Sequence, residues 1–301
     1  MLPVLALSFN AFTWGVSWWP FRQLEMRGLH PLWATALIYA VALIAITLWR
    51  RGAWADLWRA RSLWLLVLAA GTTNATFNWA VTAVDVVRVV LLFYLMPVWA
   101  VVLARLMLNE RINAISLLRV TMALAGAGIV LGPAGGSLPG VEAASQSWLD
   151  FGALPLPRSL PEWLAVLGGF SFALNNVLLR REAARPEAAR ALAMFLGGAV
   201  VSAGLALALG AQIPMPPPPA PGWIAGGLVM ALAFLAGNLA LQYGAARLPA
   251  NVTAVVMITE VLFAAVSAVL LGAGSLSPAL LLGGALIVGA SLLAGYGRAA
   301  N

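Results

Sequence analysis

The chain of 301 residues has no cysteine, no lysine and one histidine. Without cysteine there is no disulfide framework, no thiolate nucleophile and no thiolate metal ligand. His30 stands beside Pro31 in a predicted loop, with no second histidine to build a triad or a metal cluster. Charge is scarce: 9% of residues are charged, against 62% hydrophobic. A soluble chain of this length does not cover its surface with so few charges. No phosphate-binding loop, metal-ligand spacing or nucleophile constellation occurs, so ATP-driven pumping and a bound cofactor are not expected. A membrane enzyme would need acids or histidines clustered at an interface, and none cluster here.

The apolar residues that remain fall in several runs of membrane-spanning length. Alternating segments of the β-barrel kind are missing. The sequence therefore reads as an all-α, polytopic membrane protein. Its first run starts at Leu2 without a basic leader or a small-residue cleavage pattern, and reads as a retained helix. Ten helices are predicted, at roughly 3–21, 31–49, 62–83, 86–108, 113–132, 161–180, 190–210, 222–244, 250–271 and 277–296. Two connections are long. One spans Pro133–Leu160; the other, Gln212–Pro221, contains Pro216–Pro219, which cannot continue a helix. The net charge of +7 is all arginine and sits at the ends of apolar runs, which argues for membrane topology and against nucleic acid. With the N-terminus cytoplasmic, 13 of the 17 arginines fall near inner ends. Arg50, Arg51, Arg180, Arg181 and Arg185 are among them, while Arg22, Arg27, Arg88 and Arg158 fall near the outer face. Both termini are thus expected in the cytoplasm.

An internal repeat follows from three landmarks in order. Phe12-Thr13-Trp14 parallels Phe170-Ser171-Phe172 at an offset of 158. Asn78-Trp79-Ala80-Val81 parallels Asn238-Leu239-Ala240-Leu241 at 160, and Met96-Pro97-Val98 parallels Glu260-Val261-Leu262 at 164. The chain divides accordingly into a first repeat (1–133), a periplasmic linker loop (134–160) and a second repeat (161–301). Each repeat has five helices, an odd number. The second copy then enters from the opposite side, giving two inverted repeats, an arrangement that secondary transporters use for alternating access.

The run Tyr94-Leu95-Met96-Pro97-Val98, followed by Leu108-Asn109-Glu110-Arg111-Ile112, resembles the drug/metabolite transporter superfamily. More narrowly, it resembles the EamA-type families of two five-helix repeats. The second copy reads Thr259-Glu260-Val261-Leu262-Phe263-Ala264, with Val261 where the family pattern carries proline. The Tyr94-Leu95-x-Pro97 run and the long loop after helix 5 are similar to the aromatic amino-acid exporter branch. The resemblance implies a multi-pass protein of the bacterial inner membrane, monomeric or homodimeric. Its partners would be membrane lipids and a small-molecule substrate. It further implies secondary or facilitated export of small metabolites, with neutral or aromatic amino acids foremost. The alternative is proton-coupled export of organic cations through Glu260.

Glu260 is the sharpest candidate, because a carboxylate mid-span is costly unless paired, hydrated or protonated. It is assigned substrate binding and proton coupling; the bland alternative is a permanently protonated side chain bonded within its own bundle. Trp14, Ser17, Asn74, Asn78, Tyr94, Asn175, Asn238 and Gln242 are the other substrate-binding candidates. Amides both donate and accept, which suits a zwitterion, but they also tie helices together. The rings offer stacking and cation–π surface, or plain packing. Asp85, Arg88 and Pro97 are candidates for gate or hinge. The acid and arginine pair at i,i+3, and the proline leaves a helix carbonyl free. Glu110 is expected to pair with Arg105 or Arg119.

Overall fold

A computed structural model describes residues 1–83, 92–131, 157, 159–272 and 277–296; side chains at 78–83, 131 and 294–296 lie outside that description. The first half contains α1 (Leu2–Val16), α2 (Trp18–Glu25), α3 (Pro31–Trp49), α4 (Gly52–Arg59), α5 (Arg61–Ala83), α6 (Met96–Leu108) and α7 (Ala114–Leu131). The second half contains α8 (Leu160–Arg181), α9 (Glu187–Ala208), α10 (Pro221–Ala245), α11 (Ala250–Met257), α12 (Glu260–Leu270) and α13 (Pro278–Tyr296). Among the described residues there is no strand.

Prolines start several of these helices. Pro31, Pro97, Pro161 and Pro221 each occupy a first turn, where no intrahelical N–H bond is lost and the ring presets φ. His30 caps α3: its Nδ1 accepts the Leu32 N–H at 3.2 Å. Asn109 ends α6 in the left-handed region at φ 55°, a conformation asparagine tolerates better than most residues.

The stretches Pro31–Trp49, Leu160–Arg181, Glu187–Ala208, Pro221–Ala245 and Ala250–Leu270 are each long and apolar enough to cross a membrane. The side-chain distribution suits lipid. Large residues such as Leu48, Leu106, Val229, Leu232 and Leu281 project outward, while alanines fill many of the contacts between helices. Lipid tails are as apolar as leucine, so burial of large side chains is not the drive; small residues that let backbones approach are. Two crossings between the halves illustrate this. A Cβ built on Gly126 would lie 2.6 Å from the Gly283 carbonyl, and one on Gly71 would lie 2.6 Å from the Gly197 carbonyl.

The packing repeats itself between halves. α1 lies on α10 as α5 lies on α8; α3 lies on α10 as α5 lies on α9; α1 lies on α12 as α6 lies on α8. The pairs α3–α9 and α7–α13 each join equivalent helices. Exchanging the halves maps each of these pairs onto another of them or onto itself.

Three local features depart from the expected helices. The first predicted helix is interrupted at Ser17, whose hydroxyl donates to the Trp14 carbonyl at 2.7 Å, and resumes as α2. The loop after α3 contains α4, with Ala53 and Leu57 buried on one side and Trp58 and Arg59 exposed. That spacing of an apolar face against a charged one suits a helix lying at an interface. The predicted helix at 250–271 is two helices, α11 and α12, joined by a turn at Ile258–Thr259. A matching turn at Tyr94–Leu95 precedes α6, 164 residues earlier.

Candidate functional site

These two turns point at the middle of the bundle, and a cavity lies there. Its free volume is about 50 Å³, space for a few water molecules. The walls come in pairs from the two halves. Trp14 and Phe172 are 158 residues apart; Asn74 and Asn238, Phe77 and Leu241, and Phe93 and Met257 are each 164 apart. Tyr39, Thr73, Asn175, Met194 and Glu260 complete most of the lining. Of the side chains on this wall, Glu260 is the one carboxyl, and no basic group faces it from the lining.

Tyr39 is the hub. Its hydroxyl donates to Asn74 Oδ1 at 3.0 Å and shares a hydrogen bond with the Asn238 side chain. Each amide is held by the same local device. Asn74 Nδ2 donates to the Ala70 carbonyl and Asn238 Nδ2 to the Phe234 carbonyl, both at 2.8 Å and one turn back. The two amides are therefore fixed on their own helices, and the phenol bridges them. Asn175 lines the cavity with its Oδ1 unpartnered, a free acceptor in a buried place. Trp14 packs edge-on against Phe234 at 4.7 Å between centroids, and Phe77 meets Phe93 at a tilt of 57°, also at 4.7 Å.

Trp14, Asn74, Asn175, Asn238 and Glu260 come together at this cavity. Other candidates do not. Gln242 faces a second cleft nearer the arginine-rich end of the bundle. Ser17 is used at the break between α1 and α2. Tyr94 is buried within electrostatic range of Glu260, but it is Phe93 that forms the wall. Pro97 is buried in the first turn of α6. Asp85, Arg88 and the Asn78 side chain lie outside the described residues. The counterpart that meets Asn238 through Tyr39 is Asn74. Glu110 approaches neither Arg105 nor Arg119 as its main partner. It accepts the Ala250 N–H and faces Arg180, and burial pushes its carboxyl above the ordinary range against both of those influences.

Sequence reasoning missed Tyr39, Phe172 and Phe93. Phe172 had a usable signal, because it already aligned with Trp14 in the repeat. Tyr39 had a fainter one, as one of four tyrosines and a polar group in the middle of a long apolar run.

Polar contacts join helices at the end of the bundle rich in arginine. Arg180 donates to the Ala246 carbonyl at 2.6 Å. Asn251 donates to Ser116 Oγ at 2.8 Å, and Arg247 lies 3.9 Å from Glu187 and 3.8 Å over the Tyr243 ring. Toward the other end, Trp18 Nε1 donates to Ser267 Oγ at 2.9 Å.

The sequence pattern of the EamA-like transporter family matches residues 1–132 and again 159–296. A solved crystal structure whose title names no activity is 20% identical, over 97% of this chain and 95% of its own, with a TM-score of 0.75. That likeness concerns the fold alone. No curated protein matches the sequence.

Proposed function

The chain belongs to the EamA-like transporter family, and from that premise we propose that it is a secondary transporter exporting neutral or aromatic amino acids. It spans the inner membrane ten times as two inverted repeats, with both termini in the cytoplasm. The observation that carries this reading is the composition of the cavity: aromatic rings, three amides, a phenol and one carboxyl, contributed by both halves. A zwitterionic amino acid matches it group by group. Its ammonium suits Glu260 and the faces of Trp14 and Phe172. Its carboxylate suits donors, which Tyr39 and the amides of Asn74, Asn175 and Asn238 supply on reorientation. An apolar or aromatic side chain packs against Phe77 and Phe93. The free room here is only a few waters, and rocking of the halves widens the cavity toward either side.

A second reading, proton-coupled export of organic cations, is favoured by one feature. Glu260 has no basic neighbour on the cavity wall, so a proton and a cationic substrate would compete for the same carboxylate. Proteoliposomes separate the two. Counterflow of labelled phenylalanine above empty vesicles supports amino-acid transport. Counterflow of tetraethylammonium alone, inhibited by acid, supports the cation reading. Neither label exceeding empty vesicles, under any imposed gradient, would sink both.

A further inference from the structure

A cleft of about 940 Å³ lies among α3, α4, α9 and α10 and shares no lining residue with the central cavity. Arg50, Arg51, Asp56 and Glu187 line its mouth, from the end of α3, from α4 and from the start of α9. Gln242, near the end of α10, comes next, and Leu239 and Leu235 follow one and two turns further into the span. These three residues share one stripe of α10. Three residues before Leu235 the same stripe reaches Leu232, which is 67% exposed. On the facing wall Ala45 and Ile46 line the cleft, and their neighbours Ile44 and Leu48 are exposed. The apolar part of the cleft is thus continuous with the surface that meets hydrocarbon.

The mouth holds both signs of charge. Among the described residues, Arg50, Arg51 and Asp56 make no ion pair with one another or with any other group. Glu187 lies 3.9 Å from Arg247 and keeps most of its side chain exposed. Gly52 and Ala53 open α4, and Pro186 precedes α9, so two helix N-termini also border the mouth. Their free N–H groups favour an anion. Just below, Gln242 is 2% exposed, and neither atom of its carboxamide has a partner. A buried amide left unpaired is costly, and is found where water or a ligand completes it.

We infer that this cleft is a binding site for one phospholipid with a primary-amine head group, a phosphatidylethanolamine. Its phosphate meets Arg50, Arg51 and the start of α4. Its ammonium meets Asp56 and Glu187, its ester group meets Gln242, and an acyl chain follows Leu239 and Leu235. A soluble zwitterion would answer the mouth but leave the apolar stripe and its sideways exit without a use. An anionic phospholipid would leave both acids unanswered, and a choline head has no N–H to give them. The site goes beyond the transport reading above, and its test requires no transport.

The experiment is native mass spectrometry of the full-length protein, delipidated in detergent. The probes are dioleoyl phosphatidylethanolamine, phosphatidylglycerol and phosphatidylcholine. Phosphatidylethanolamine should bind as a single adduct, about tenfold tighter than either of the others. Arg50→Gln with Arg51→Gln should weaken all three lipids, since the phosphate is common to them. Arg59→Gln with Arg61→Gln, outside the cleft, should change nothing. Asp56→Asn with Glu187→Gln should abolish the preference for phosphatidylethanolamine over phosphatidylglycerol. Gln242→Leu should weaken all three lipids while melting no lower than the parent, because it removes an unpaired amide. Equal binding of the three lipids would mean ordinary lipid contact and would overturn the inference. So would an effect of the Arg50 and Arg51 pair no larger than that of the Arg59 and Arg61 pair, or unchanged affinity in Gln242→Leu. Displacement of the bound lipid by glycerophosphoethanolamine or by phenylalanine would overturn it as well, since the cleft would then belong to a soluble zwitterion. Lipid binding as expected with no uptake of any substrate would sink only the transport reading.

Discussion

The two interrupted spans reach the same geometry from different residues. Before α6, Pro97 has no N–H, and the Leu95 carbonyl accepts from Val98 and Trp99 at 3.0 and 3.2 Å. Before α12, the equivalent Thr259 carbonyl accepts from Leu262 and Phe263 at 3.0 and 3.2 Å, although Val261 stands where the proline would be. Val261 spends its N–H on Ile258 at 3.0 Å, a tightened i→i−3 bond, and the Thr259 hydroxyl donates to the Val256 carbonyl at 2.7 Å. The architecture thus calls for a break at this register, and proline is one of two ways to make it. The second way leaves something extra. It starts a new helix in mid-span, and Glu260 is in its first turn, where the helix dipole favours a negative group. The first half has Met96 at that place, buried and uncharged.

The largest test of this difference is Glu260→Gln. Gradient-driven uptake in proteoliposomes should fall by about tenfold or more, while the mutant still folds, since an intramembrane acid on a cavity wall serves the transported ion or molecule. Full activity in Glu260→Gln would remove the carboxylate from the mechanism. Next comes Pro97→Ala, which restores a donor in the first span. It should slow uptake several-fold with melting temperature unchanged or raised, because a proline-imposed break is being relaxed. Val261→Pro is the converse. In an unbroken helix interior it would cost ~3 kcal/mol, but here it removes one bond, for about 1 kcal/mol. A melting shift as large as that of a proline placed mid-way in α9 would show that the two breaks are not equivalent. Thr259→Val should cost about 1 kcal/mol by losing its hydroxyl bond, read as a small drop in melting temperature.

The smallest effect concerns the arginine-rich end. Burial holds the Glu110 carboxyl above its ordinary range, so the folded state binds this proton more tightly than the unfolded one. Its contribution to stability is complete below the unfolded value and is lost as pH rises toward the folded one. Glu110→Gln should flatten that part of the melting-temperature profile above the ordinary carboxylate range. A profile identical to the parent's would mean that Glu110 is not coupled to folding.

Much of the architecture was legible because membrane helices announce themselves by length, and because a repeat is read from order rather than from any one residue. Trp14 and Phe172 aligned by sequence and share the cavity wall. The polar partner of Asn238 was harder. Asn74 and Asn78 are one turn apart on one face, so an offset of 160 or 164 fits the pattern equally, and only the bridging phenol of Tyr39 distinguishes Asn74. The break at Ile258–Thr259 left no mark in the sequence, since neither proline nor glycine is there. α4 was hidden for the opposite reason: a short amphipathic helix with two tryptophans and two charges reads as loop. Gln242 sits one turn from Asn238, yet it turns to a different space. Helical spacing gives a face; only packing says which void that face meets.

The glycine crossings bear on how the two halves can move. At Gly71–Gly197 and at Gly126–Gly283 the backbones of opposite halves touch with no side chain between them. A rigid body held to another at two points keeps a single degree of freedom, rotation about the line that joins them. Any swing of the halves that preserves both crossings is therefore a turn about one axis, and its amplitude at a given residue grows with distance from that axis.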